Sequence, residues 1–417
     1  MQDNIIDISV VMISYNIEKY IPDCIESILA QKYVNYEIIC VDDASTDDSL
    51  KILLKYQKSN ENIIVISNET NKGPSSARNA GTKKAKGKYI YYLDGDDCLK
   101  EGALKTMVEN MRKYNLDFLG FSSEIFYDDV QLRNICNFDE YEYIRENNCG
   151  IILSGPEMFS DLYDSREKVT VNLCLYCFKK SFIENNDLYG IEGLRYADDN
   201  MFMKYMHAKS VLCIKDILHR RRYRRTSTVM SPMKKTYIES EVVLLSEEFA
   251  CWQKMKLSSK QNKSVFNYFF ERIKEIDYLS YLFRNENFDV PFLKLNYPAY
   301  LIFKAMLGNK LLYEDLLSEN NKIKIRKSHK IIIYGAGYFA EKFSDILEYY
   351  NKYDYSIMVS KIEKEKFFRG KEIENFEDLK DNLIDATIVV AMSKKYEREI
   401  IKKLHETRTK EIIWFGQ

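Results

Sequence analysis

The sequence lacks any large excess of charge. Its 62 Lys and Arg stand against 63 Asp and Glu, a net of −1. Nothing global therefore points to nucleic acid, and no nucleic-acid partner is expected. Histidine is scarce, with four residues, so a metal site built mainly from imidazole is not expected. Nine cysteines are scattered singly, without a C-x-x-C pair. Cys24, Cys40, Cys174 and Cys213 sit in apolar runs and read as buried thiols in a reducing compartment, not as disulfides or zinc ligands. There is no apolar run of about 18 residues, so no membrane span is expected. The N-terminus carries Asp3 and Asp7 where a secretory leader needs basic residues, which leads us to expect a cytoplasmic protein. Two Trp stand against 32 Tyr and 22 Phe. Tyr suits sugar and base stacking, but codon bias toward AT-rich genomes enriches it equally well. No internal repeat or low-complexity stretch is visible.

What remains is ordinary globular material, 46% hydrophobic and 30% charged, long enough for two or three domains. The first 125 residues alternate strand-like and helix-like patterns. Residues 8–14, 36–41, 62–67 and 88–93 are apolar runs of strand length, as expected for strands buried on both faces. Helical patterns follow at 19–31, 47–58, 74–85 and 101–114, with Ser45 or Thr46 as a cap for the second and Pro74 in the first turn of the third. Repeated units of this length predict a doubly wound, mostly parallel α/β sheet, which binds ligands beyond the carboxyl ends of its strands. Residues 117–126 and 169–178 are further strand-like pieces, and a helix follows Ala197. Residues 231–328 read as a helical connector or bundle, punctuated by Pro291 and Pro298. A second, small Rossmann-like α/β unit is expected over 329–417.

The acids are where chemistry is expected. The second strand ends in Asp42-Asp43 and the fourth in Asp94-Gly95-Asp96-Asp97. Both clusters follow buried strands, so both belong on one edge of the sheet. Carboxylates packed there repel one another unless a cation or hydrogen-bond donors sit between them. Asp94 and Asp96, two apart around Gly95, suit a divalent ion with hard oxygen ligands, Mn2+ or Mg2+, completed by a diphosphate. The bland alternative makes Asp97 a cap for the helix that follows.

The strings SVVMISYN, VDDASTDDS, NKGPSSARNAG and YIYYLDGDD, in that order, closely resemble family 2 glycosyltransferases of the GT-A fold. The resemblance covers roughly residues 6–230, which gives a catalytic domain over 1–230. It implies that Tyr15 stacks on the nucleobase and that Asp43, beside Asp42, accepts a hydrogen bond from a uracil imide. It places Arg78 and Asn79 along the nucleotide-sugar pocket, with Arg78 neutralising diphosphate or holding the loop acids. Asp94 falls near the ribose and Asp96 becomes the direct metal ligand. Gly95 stands where Ser is frequent, a change of little consequence because that side chain is not needed for ligation. Asp198-Asp199, ahead of Phe202, resembles the family's acidic pair, with Asp199 as the general base and Asp198 its neighbour. The run His219 to Arg225 resembles a basic–aromatic stretch that closes over the diphosphate. Arg224 or Arg225 would offset leaving-group charge, and His219 is a candidate third metal ligand. The five arginines of this run cannot be ranked from sequence.

The resemblance implies a metal-dependent, inverting transfer of a sugar from a nucleoside diphosphate, UDP being favoured, to a hydroxyl acceptor in bacterial surface-glycan synthesis. The acceptor would be a glycan or lipid-linked glycan. Peripheral association with the inner face of the membrane, through the aromatic stretch that includes Tyr281, Phe283, Tyr300 and Phe303, and self-association both stay open. So do a catalytically inactive nucleotide-sugar-binding scaffold and a nucleotidyltransferase. Residues 16–18 offer no Gly-rich basic loop for the last of these. In the C-terminal unit, Gly335-Ala-Gly337-Tyr-Phe-Ala340 fits a G-x-G-x-x-A dinucleotide fingerprint. The next strand, however, ends in Ser360-Lys361 and lacks the acid that holds a ribose. That unit is expected to serve packing or assembly, not catalysis.

Overall fold

The computed structural model describes residues 5–129, 131–132, 143–146, 149–165, 172–194, 200–225, 234–282, 317–350, 352, 354–360, 367–380, 383, 385–392, 396–405, 407, 409 and 411–415. The described residues form two compact units, which divide between Phe270 and Glu271.

The first unit begins as a repeated strand–helix alternation. Strand β1 (Ile8–Ser14) leads to helix α1 (Ile21–Leu29), β2 (Tyr36–Asp42) to α2 (Ser49–Ser59), β3 (Ile63–Ser67) to α3 (Pro74–Lys84), and β4 (Tyr89–Asp94) with the short β5 (Cys98–Leu99) to α4 (Ala103–Tyr114). These strands form because apolar residues run without interruption: Ile8, Val10, Val11 and Met12 of β1 are all fully buried, with helices on both faces. The chain continues through β6 (Phe118–Tyr127), β7 (Ile152–Leu153), α5 (Gly155–Asp164), a 3-10 turn (Leu173–Leu175), β8 (Tyr176–Lys179), α6 (Lys180–Asn185), α7 (Met201–His207) and β9 (Val211–Tyr223). The sheet order is β3-β2-β1-β4-β8-β6-β9-β5, with β7 on β9. Strands β3, β2, β1 and β4 pair in parallel, and β8 enters antiparallel between β4 and β6. The register sets Ser14 against Asp42 and Ile13 against Asp94, so β1, β2 and β4 end level on one edge.

Two local expectations change. The cap of α2 falls at Asp48, because Thr46 is taken by the Asn16 side chain, to which its backbone N–H donates at 2.7 Å. Of the strand expected over 169–178, the described residues 172–178 form a turn followed by a strand: Asn172 accepts from the Cys174 amide at 2.9 Å and bends the chain before β8. Arg220, Arg221 and Arg222 of the basic run lie inside β9, because β6 pairs with them through Glu124, Ile125 and Phe126.

Helix α8 (Lys235–Lys254) and the first half of α9 (Ser259–Leu282) belong to the first unit. Aromatic rings seat α9 there. Tyr268 stacks on Phe202 of α7 at 5.3 Å and meets Phe159 of α5 edge-on at 5.4 Å. Such pairs contribute about 0.5–1.5 kcal/mol beyond the area they bury. No helix among the described residues is long and apolar enough to cross a membrane.

The second unit holds α10 (Glu319–Lys327), β10 (Ile331–Tyr334), α11 (Tyr338–Tyr349), β11 (Tyr355–Val359), β12 (Phe367–Phe368), β13 (Lys371–Asn375), α12 (Phe376–Leu379), β14 (Thr387–Val390), α13 (Glu397–His405) and β15 (Glu411–Trp414). Its sheet runs β12-β13-β11-β10-β14-β15, parallel except for β12. The central strands β10 and β14 are wholly buried.

Candidate active site

The loop after β1 is laced to the loop after β2. The Asn16 amide donates to Ser45 Oγ at 3.0 Å, the Ile17 amide to Ser49 Oγ at 3.0 Å, and the Glu18 amide to Asp47 at 3.1 Å. Tyr15 leaves this lattice 46% exposed, as a stacking ring requires. Asp42 is fully buried and accepts from Ser14 Oγ and the Ser45 amide. It shapes the turn and presents no carboxylate to solvent. Asp43 accepts from Asn68 Nδ2 at 2.7 Å, from the Lys72 amide, and from the Gly73 amide at 2.8 Å. The backbone that opens α3 is thus pinned to the end of β2. Asn68, absent from the sequence reading, is part of the same brace.

Arg78 of α3 donates to Asp94 Oδ1 at 2.9 Å. It holds the acid at the end of β4, one of the roles open to it from sequence. Asn79 is turned elsewhere: its amide group exchanges two hydrogen bonds, both 2.9 Å, with the backbone of Gly190. Asn200 donates to the Tyr189 carbonyl at 2.8 Å. These contacts tie both described ends of the segment that contains Asp198 and Asp199. The two acids themselves lie outside the described residues.

Strand β9 sorts its arginines. Arg224 Nε donates to Asp96 Oδ2 at 2.8 Å, while Arg222 donates through Nε to the Asp96 carbonyl and through its amide to Asp97. Both guanidinium groups lie over the Tyr20 ring. Arg221 is turned to the Tyr143 and Tyr223 rings. Arg220 pairs with Glu124 at 2.7 Å, and Arg225 with Asp129 at 2.7 Å. Of the two arginines singled out, Arg224 therefore sits on the acid cluster and Arg225 does not.

His219 is fully buried. Its Nδ1 lies 2.8 Å from Ser123 Oγ and its Nε2 3.2 Å from Asp97 Oδ2, so its neighbour in the cluster is Asp97. Asp97 caps no helix. Helix α4 starts after Gly102, and Asp97 instead joins the β4–β5 turn to β9.

The two carboxylates meant for a metal are shifted in opposite directions. Burial raises the Asp94 carboxyl, but Arg78 and Arg221 more than offset this and hold it below the usual range. Burial, with Asp97 and Asp94 nearby, pushes Asp96 up to about 6 against the pull of Arg224. Each spends one oxygen on an arginine; among the described residues Asp94 Oδ2 and Asp96 Oδ1 accept no hydrogen bond. Two hard oxygen atoms beside crowded like charges are a donor set that a divalent cation fits. Gly95 between them is not interchangeable with Ser. A Cβ there would stand 2.6 Å from Ile17 Cδ1 and 2.8 Å from the Ile13 carbonyl oxygen, so the turn needs glycine for close approach.

A mostly parallel sheet with acids at level strand ends, flanked by an arginine-bearing strand, is the GT-A type of α/β architecture. The family model for glycosyl transferase family 2 matches residues 9–155. Glycosyltransferase GlyG of Streptococcus pneumoniae is 31% identical over 231 residues, which span 54% of this chain and 72% of that protein. EpsJ of Bacillus subtilis, an uncharacterized glycosyltransferase, is 32% identical over 196 residues, 47% of this chain and 54% of its own. A Bacillus spizizenii poly(ribitol-phosphate) beta-glucosyltransferase is 34% identical over 213 residues, 30% of its length. The chain thus spans about half of one of these relatives and under a third of another. The crystal structure of Staphylococcus aureus TarS 1–349 in complex with UDP-GlcNAc superposes with a TM-score of 0.51 at 20% identity, covering 74% of this chain and 83% of that one. The chain belongs to glycosyltransferase family 2.

Proposed function

We propose that residues 1–230 form the catalytic domain of a metal-dependent, inverting transferase. It moves a sugar from a nucleoside diphosphate, UDP in the first instance, to a hydroxyl of a glycan or lipid-linked glycan in bacterial surface-polysaccharide synthesis. The observation that carries this reading is the pair Asp94 and Asp96, each anchored through one oxygen by Arg78 or Arg224 and each with a second oxygen that accepts no hydrogen bond among the described residues. The names of the relatives support the glycan setting, and the UDP-GlcNAc bound by TarS supports the base and the donor class.

Mn2+ or Mg2+ held by Asp94 and Asp96 would neutralise the diphosphate as it departs. The protein's own groups do the rest. Tyr15 offers its exposed face to the base. Asp43 braces the wall of the nucleotide pocket, and a uracil imide would add one donor to a carboxylate that already accepts from three groups. Arg224, at the edge of the acid cluster, is placed to meet charge on the leaving group. Asp199 takes the proton from the acceptor hydroxyl, with Asp198 beside it.

The test is donor hydrolysis across a panel of nucleotide sugars, with Mn2+ or Mg2+ and then with chelator, on the natural chain and on Asp96→Ala. Release of one nucleoside diphosphate that needs both the metal and Asp96 supports the proposal. A donor that binds and is never turned over would leave the scaffold reading instead, and failure of every donor to bind would overturn both.

A further inference from the structure

Beneath the donor edge, a second group of potential ligands is closed off from solvent. Asp97, Cys174 and His219 each bring one ligand atom to within 4.8 Å of the others, and all three residues are buried. They come from three places: the turn between β4 and β5, the 3-10 turn before β8, and β9. Among the described residues His219 Nε2 has no hydrogen-bond partner, although it is fully buried. Asp97 Oδ2 stands 3.2 Å from it, yet no hydrogen bond forms. The second imidazole nitrogen, Nδ1, is engaged by Ser123 Oγ, which fixes the ring so that Nε2 faces the carboxylate. Nearby, the Tyr91 hydroxyl is also buried without a partner among the described residues. Burial raises the Tyr91 phenol, and Cys174 and Asp97 raise it further, which places all of them in one neighbourhood.

A buried polar atom left unpaired loses its hydration with nothing in return. Two in one place mark a missing interaction. Tetrahedral zinc with nitrogen and oxygen ligands at about 2.0–2.2 Å sets those atoms roughly 3.4 Å apart, close to the separation of His219 and Asp97. The donor set is thiolate, imidazole and carboxylate. That chemistry selects zinc or cobalt over Mg2+ or Mn2+, whereas Asp94 and Asp96 are hard oxygen donors. The Ser123 hydroxyl on Nδ1 takes the part that a carbonyl or carboxylate often plays for a metal-bound imidazole.

We propose that Asp97, Cys174 and His219 bind a structural transition-metal ion of the zinc type, distinct from the donor's cation. Cys174, which the sequence alone reads as an inert buried thiol, is its sulfur ligand. Through Asp97 and its acceptance of the Arg222 amide at 2.7 Å, the ion braces the turn that carries Asp96.

The measurement is elemental analysis of the full chain, purified without chelator and exhaustively exchanged into metal-free buffer. About one equivalent of zinc should remain in the natural chain and in Asp96→Asn, and be lost in Cys174→Ser. Protein produced with cobalt in place of zinc should show a thiolate-to-cobalt charge-transfer band that Cys174→Ser removes. The natural chain decides the matter without any variant. If it retains no transition metal and gives no charge-transfer band with Co2+, the proposal falls, whether or not the chain turns over a nucleotide sugar.

Discussion

The two sheets share an architecture and differ in what their strand ends carry. In the first unit, β2 and β4 end in Asp42, Asp43, Asp94 and Asp96, and arginines from α3 and β9 reach into them. In the second, β10 ends in a glycine turn and β11 in Ser360, whose hydroxyl pairs with Tyr334. The start of α11 is also met by a carboxylate: Asp277 accepts from Tyr338 Oη at 2.7 Å and pairs with Lys342 at 2.8 Å. A helix amino terminus attracts anions, and here Asp277 stands close to it. The parallel α/β layout provides an edge in both units. The residues at that edge decide whether it handles a charged ligand.

The sharpest way to break this contrast is Asp96→Ala. Removing a metal carboxylate should lower metal-dependent donor turnover by about 10³-fold or more, with the circular dichroism spectrum retained. Ser360→Ala, at the matching edge of the second sheet, should leave turnover within about twofold, since no charge is lost there. Equal losses in both variants would dissolve the distinction.

The next effect is on stability and separates two acids of the first sheet. Asp43 accepts from three groups that open α3. Asp43→Ala strands those donors and should destabilise the fold by about 2–4 kcal/mol in urea titration. Asp96→Asn should not, because burial beside Asp97 and Asp94 already disfavours its charge. The sign of its pH dependence follows. With a folded value of about 6 against an ordinary 3.8, the native chain binds more protons than the unfolded chain between those limits. Stability of the metal-free protein therefore rises as pH falls from 7 toward 4, by on the order of 1 kcal/mol per pH unit at the steepest. Asp96→Asn flattens that slope. Metal-dependent turnover should run the other way and fall as pH drops through about 6, because the ion needs the carboxylate. Measured at subsaturating metal, a turnover profile flat from pH 7 to 5 would remove Asp96 from the metal site.

Much of the first sheet was legible because its signals are local. Uninterrupted apolar runs such as Ile8–Ser14 announce strands buried on both faces, and acids placed just after them fall on one edge whatever the helices do. The division of labour within the edge was not legible. Which arginine meets Asp96 depends on the pairing of β9 with β5, Cys98 against Arg220 and Leu99 against His219, and no local pattern states it. Asp43 reads the same as Asp42 in sequence, and only the approach of Lys72 and Gly73 separates their tasks. Gly95 looked replaceable because ligation does not need its side chain; the carbonyl of Ile13 is the reason it is not. His219 looked like a ligand for the donor's cation and turns instead to Asp97, since β6 places Ser123 on its other nitrogen.

The smallest expected effect tests the second sheet from within. A dinucleotide fingerprint needs its second glycine so that a pyrophosphate can come close to the backbone. At Gly337 an added Cβ would meet nothing within 4 Å, and φ is −100°, open to any residue. Gly335 is different: its φ is +125° and a Cβ would stand 2.9 Å from the Ala391 carbonyl oxygen, so the fold itself demands glycine. Gly335→Ala should therefore destabilise the chain by about 1–3 kcal/mol. Gly337→Ala should change stability by less than about 1 kcal/mol, and in the stabilising direction, since it narrows the unfolded ensemble. It should leave sugar transfer untouched. Equilibrium dialysis with NAD and with nucleoside diphosphates on Asp96→Ala, where the first site is silenced, completes the test. Nucleotide retained by Asp96→Ala and lost on adding Gly337→Ala would mean that the glycine serves a ligand after all, and that the second sheet has a charged-ligand edge of its own.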